Sequence, residues 1–181
     1  MRYSEPIAPD VREGEGDERT QYLTFAIADA VYAIGVRRVR EIIEYGASLT
    51  RLPRTPPAVR GTIDLRGSTV PVVDLAVVFG GAERPITPRS CLVIVETLSS
   101  FGARSLVGVL ADAVAGVADL RRGDIAPAPA CDAALRADAL TGIGTVDGTY
   151  LLLLDIDRAL ADTALPESFT DGPYTTEETS C

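Results

Sequence analysis

Residues 60–75, RGTIDLRGSTVPVVDL, lay out a strand, a tight turn and a second strand. Thr62 opens the first segment and Thr69 the second, both rich in the β-branched residues that suit a pleated surface. Between them, Asp64-Leu65-Arg66-Gly67 has the chemistry of a turn: Asp favours turns, and Gly67 takes a positive φ at no steric cost. Taken alone, Arg66 is a turn residue left in solvent. The sharper alternative is that the turn holds Arg66 out to meet a partner.

Outward from this hairpin the same period-two signal recurs. In QYLTFAIA (21–28), Leu23, Phe25 and Ile27 share one face, and after a turn around Asp29, AVYAIGV (30–36) places Tyr32, Ile34 and Val36 together, so a second β-hairpin is expected. Further strands are expected at Thr69 to Val78, Cys91 to Glu96, Arg104 to Ala111, Ala113 to Leu120, Ile143 to Val146 and Thr149 to Leu154. Cys91 to Val95 is apolar without alternation, as a strand covered on both faces would be. One stretch departs from the pattern. Val36, Val39 and Ile43 recur at three- and four-residue steps, and Arg37/Glu41 and Arg40/Glu44 are opposite charges four apart, which predicts a short amphipathic helix stopped by Gly46. The prolines of LPRTPPAVRG (52–61) permit a single tight turn. RRGDIAPAPACDAALRADAL (121–140) reads as a loop, and Asp155 or Asp157 caps a last helix through DRALADTAL. About nine short strands with one early and one late helix predict a mainly β barrel or sandwich architecture.

Composition narrows the chemistry. The 181 residues, 46% of them hydrophobic, suit a chain with about one sizeable core. Polar acidic tails are expected at 1–19 and 166–181, flanking a domain over 20–165. Acidic residues outnumber basic ones 26 to 17, and the net charge of −9 repels a polyanion, so nucleic acid is not an expected partner. Every basic residue is arginine, and histidine and tryptophan are absent. That excludes His-based nucleophile systems, His-ligated metals, a phosphate-loop lysine and Schiff-base chemistry. Cys91, Cys131 and Cys181 form no C-x-x-C pair and fit a reduced cytoplasmic chain. Met1 to Thr20 has no signal-peptide core, and no apolar run approaches the ~18 residues of a span, so direct membrane insertion is not expected. Asp155 and Asp157 have no third ligand nearby and read as a helix cap; neither metal nor cofactor is expected.

Five motifs in order then give a specific resemblance: YLTFAIADAVYAIGVRRVREII, SLTRLPRTPPAVRG, RGTIDLRGSTVPVVDL, LVGVLADAV and YLLLLDIDRAL. Together they resemble the CheW family of chemotaxis coupling proteins, over roughly Gln21 to Leu165. The resemblance implies two intertwined five-stranded SH3-like β-barrels with an apolar interface between them. It implies a non-enzymatic adaptor that joins the regulatory domain of a CheA-type histidine kinase to the cytoplasmic tips of methyl-accepting chemoreceptors, monomeric in isolation and recruited to membrane-associated receptor arrays. Arg66 matches the arginine of the family's Asn-Leu-Arg-Gly motif beside the receptor groove, with Asp64 in place of the more usual Asn. Asp64 brings a charge that can pair with Arg66.

Val39, Glu41 and Ile42 match the family segment that contacts receptors and are assigned with Arg66 to receptor binding. Gly61, Asp64 and Gly67 are assigned as supporting turn residues. An adaptor of a non-chemotaxis CheA-type pathway, controlling surface motility or gene expression, is the alternative. A small-barrel nucleic-acid-binding module is a remote one, because such barrels need a basic groove with stacking aromatics and this chain is acidic and 6% aromatic.

Overall fold

A computed structural model describes residues 18–45, 49–98, 102–129 and 138–165. Residues 1–17 and 166–181 of the expected tails, Gly46, Cys131 and Cys181 lie outside the described residues, as does 130–137 of the expected loop.

Strands β1 (Arg19–Ile27) and β2 (Ala30–Gly35) form the expected hairpin, and a 3-10 turn over Val36–Arg38 leads into β3 (Val39–Glu44). Then come β4 (Val59–Leu65), β5 (Ser68–Asp74), helix α1 (Leu75–Val78), β6 (Cys91–Leu98) and β7 (Arg104–Ala111). The chain closes with β8 (Ala113–Arg121), β9 (Ile125–Ala126), β10 (Leu140–Val146), β11 (Thr149–Leu154) and helix α2 (Ile156–Leu160). The strands make two sheets, ordered β8-β1-β2-β11-β10-β9 and β3-β6-β7-β5-β4. The second sheet is thus inserted between β2 and β8 of the first, which is what intertwines the two barrels. The first carries a sixth member, the two-residue β9.

Burial divides into three cores. One lies within the second barrel, around Ile63, Val70, Val72, Leu92, Ile94 and Leu110. A smaller one lies within the first, around Ala33, Leu120, Leu151 and Leu153. The largest is shared: Leu23, Phe25, Tyr32 and Ile34 from the first sheet meet Val73, Val93, Val95 and Val109 from the second, with Ile156 and Leu160 of α2. Strand β6 serves two cores at once, Cys91, Val93 and Val95 in the shared one and Leu92 and Ile94 in its own barrel. Its unbroken apolar run follows from that.

Two expectations are corrected. Residues 36–46 do not form a helix: after the 3-10 turn, β3 pairs antiparallel with β6, with a register shift between Val39 and Glu41. This bulge at Arg40 turns the strand over. Val39 lies opposite Val95 and packs on the shared core, whereas Ile43 lies opposite Leu92 and packs on the second barrel's core. The fifth strand ends at Asp74, not Val78, because buried Asp74 caps α1, its Oδ1 accepting from the Ala76 N–H at 3.0 Å. Its Oδ2 faces Arg60 Nη1 at 3.3 Å, and Arg60 also meets Glu83 at 2.7 Å.

Candidate functional site

The hairpin at 60–75 is closed by a two-residue turn in which Leu65 faces Ser68. Arg66 (φ 52°) and Gly67 (φ 85°) both have positive φ, the combination whose twist matches two antiparallel strands. Asp64 Oδ1 accepts the Gly67 N–H at 3.0 Å and so fixes the turn from inside the loop. Asp64 therefore does not pair with Arg66. The Arg66 guanidinium reaches Glu41 instead, Nη2 to Oε2 3.2 Å, while its side chain remains 81% exposed. An exposed ion pair of this kind is weak and easily exchanged for another carboxylate.

Glu41 sits on β3, an edge strand that among the described residues is bonded only to β6. Ile42 is next to it and 45% exposed. Val39 is half-buried against the shared core. Arg40 pairs with Glu96, which also takes Arg104 Nη1 at 3.0 Å. The fold thus brings Arg66, Asp64 and Gly67 to one turn and joins them to Glu41. It places Ile42 beside Glu41 on the exposed edge and sets Val39 underneath.

Gly61 is not a turn residue. It lies inside β4 at a bulge, with φ 146°, where an added Cβ would stand 2.3 Å from the carbonyl oxygen of Thr50. Thr50 and Thr62 exchange two backbone hydrogen bonds of 2.8 Å, so the close approach is by the chain itself and not by a partner.

Asp155 caps α2 as expected, accepting from the N–H groups of Asp157 at 3.1 Å and Arg158 at 3.2 Å. Asp157 was indistinguishable from a cap by type, yet it is used differently: Oδ1 accepts the Leu98 N–H at 2.8 Å, and Oδ2 pairs with Arg38. No group of three or more His, Cys, Asp or Glu suited to a metal occurs among the described residues. Burial pushes the Cys91 thiol and the Tyr32 phenol above their ordinary values, which leaves both protonated and inert near neutrality.

An open cavity of about 960 Å³ on the first barrel, lined by Glu18, Tyr22, Arg122, Ile125 and Thr141 among others, includes none of the expected site residues. Exposed apolar side chains missed by the sequence reading are Ile86, Leu98 at the end of β6, Val117 on β8 (57%) and Tyr150 on β11 (70%). AVAGVADL is apolar almost throughout and does not mark Val117 as outward-facing; the burial pattern along β8 and its place at the edge of the sheet do. No helix among the described residues is long and apolar enough to cross a membrane.

Comparison with known proteins agrees with this geometry. The CheW-like domain model matches residues 21–164. A chemotaxis protein CheW of Klebsiella aerogenes is 33% identical over 141 residues, 78% of this chain and 81% of that one. Protein FrzA of Myxococcus xanthus is 32% identical over 158 residues, covering 85% and 94%. The crystal structure of the scaffolding protein TtCheW from Thermoanaerobacter tengcongensis superposes with a TM-score of 0.70 at 27% identity, covering 79% of this chain and 93% of that one. The chain belongs to the CheW-like family.

Proposed function

We propose that this protein is a non-enzymatic chemotaxis scaffold that couples the cytoplasmic tips of chemoreceptors to a CheA-type histidine kinase. The observation that carries the site is Arg66. A non-glycine residue held in the left-handed region costs roughly 1–2 kcal/mol, and here the cost places a guanidinium at a hairpin tip beside an exposed apolar edge. Such a group can take carboxylates or backbone carbonyls of a receptor helix hairpin. Glu41 holds it in the meantime, and Ile42 supplies an apolar contact. The kinase regulatory domain would bind separately, and Val117 on the edge strand β8 of the first barrel is an apolar residue available to it. Each contact is expected to be of transient size, on the order of 1,200 Å² or less. Multivalency in a membrane-associated array adds strength. A second reading, an adaptor of a CheA-type pathway other than chemotaxis, fits the same geometry, and one relative of nearly equal identity, Protein FrzA, does not carry the chemotaxis CheW name.

Calorimetric titration with the regulatory domain of a CheA-type kinase from the same genome, alone and with a soluble receptor-tip fragment, tests the role. Saturable binding of both is expected, with Arg66→Ala weakening only the receptor side. Absence of kinase binding at concentrations on the order of tens of micromolar, where any Kd near 1 μM would saturate, would remove the coupling role.

A further inference from the structure

Resting on that coupling role, we infer that Asp157 is a positioning residue that sets the receptor-facing strand β3 against the first barrel. The chain passes between the barrels twice, from β2 to β3 and from β7 to β8. Each passage is held by a carboxylate that takes one arginine and one backbone N–H. At the second, Asp112 Oδ2 accepts from the Ala28 N–H at 2.8 Å and from Arg84 Nη2 at 3.3 Å. At the first, Asp157 accepts from the Leu98 N–H at 2.8 Å and pairs with Arg38.

The placement of Asp157 gives it leverage. Arg38 is the residue before β3, and Leu98 is the last residue of β6, the strand to which β3 is bonded. Because the two run antiparallel with Val39 opposite Val95, the start of β3 and the end of β6 lie together. Asp157 holds both from α2, which follows the first-barrel strand β11. Beside it an open surface cleft of about 220 Å³ is lined by Gly35, Arg38, Thr141 and Asp155 among others, over the buried Ile34 and Ile156. The shared core, which includes Ile156 and Leu160 of α2, holds the barrels together, and the Arg38–Asp157 pair acts at its rim, on the start of β3. Arg38 and Asp157 are 32% and 25% exposed, so their pair adds little to overall stability, but it sets where the next residues, Val39, Glu41 and Ile42, stand relative to the first barrel.

The test is titration of the full-length chain with a soluble chemoreceptor-tip fragment and, separately, with a CheA-type regulatory domain. The variants are Asp157→Asn, which retains an acceptor for Leu98, Asp157→Arg, Arg38→Asp and the exchanged double variant. We expect each single variant to weaken receptor-fragment binding about tenfold, in the range of couplings between contacting residues, with kinase-domain binding held within about twofold. The exchanged pair binds the fragment more tightly than either of its parents. Undiminished fragment binding by Asp157→Asn overturns the inference, as does parallel loss of both partners or an exchanged pair no better than its parents. If the native chain binds neither partner, the coupling role itself falls, a result distinct from failure of the variants alone.

Discussion

Two turns built on positive φ let the role of Arg66 be read against a control within the same chain. At the β10–β11 hairpin the pair is Asp147-Gly148, with φ of 48° and 78°, and Asp is among the residues that tolerate this region best. At the β4–β5 hairpin the same backbone carries Arg66, for which the turn offers no advantage. Ala28 (φ 54°) and Arg54 (φ 62°) also take positive φ, so the backbone alone does not mark Arg66; what sets it apart is an exposed guanidinium held by Glu41 at the tip of the hairpin. Arg66→Gly relieves the backbone and removes only an exposed ion pair worth about 1 kcal/mol or less. The expected result is a melting temperature unchanged or raised by a few degrees, together with weakened receptor-fragment binding; a large drop in melting temperature would make Arg66 structural. Gly61→Ala is the opposite case. It puts a Cβ 2.3 Å from Thr50 O at φ 146°, and backbone cannot move aside cheaply. A loss of about 3 kcal/mol or more is expected in denaturant titration, as for other severe backbone clashes.

Strand β3 shows how an element can carry a misleading pattern. If Ile42 is an edge residue, Ile42→Asp yields a soluble, folded protein with reduced receptor binding and stability within about 1 kcal/mol of native, as for surface changes generally. Insoluble expression would return Ile42 to the core. Residues 36–43 read as a helical stripe because the bulge at Arg40 breaks the two-residue period and sends Val39 and Ile43, four apart, both inward but into different cores. The charges four apart reinforced it, yet Glu41 pairs with Arg66 and Arg40 with Glu96 across the sheet. The β-branched content of Val39, Ile42 and Ile43 favoured a strand and was the better signal. Elsewhere short apolar runs bounded by polar or turn residues sufficed: Arg104–Ala111 and Thr149–Leu154 begin and end where such runs predict. Within the site, the turn at Arg66 was legible from Asp64 and Gly67, because turn chemistry is local. The Arg66–Glu41 and Arg38–Asp157 pairs, 25 and 119 residues apart in sequence, were not.

In the whole molecule, the largest core belongs to both barrels, so neither barrel can keep its burial without the other. Unfolding is expected as one cooperative transition. Two titratable groups in that core report on it. Tyr32 stacks between Phe25 (centroids 6.2 Å apart) and Phe79 (5.6 Å), and Cys91 lies in β6. Burial raises both above their ordinary values of 10.0 and 9.0. In the unfolded chain the thiol therefore loses its proton from about pH 9 and the phenol from about pH 10, while the folded chain retains both. The unfolded state then binds fewer protons, and stability falls as pH rises. The contribution is complete below pH 9 and declines above it, as the unfolded chain begins to release protons that the folded chain holds more tightly. The chain has no lysine, so side-chain amines do not obscure this range. Denaturant midpoints at pH 8 and pH 10 should show the loss, and Cys91→Ala should remove the part that begins near pH 9. Tyrosine near-ultraviolet dichroism and labelling of Cys91 should follow one curve at both values. Two separated transitions would mean that the barrels are independent, and the shared core would then not be what unites them.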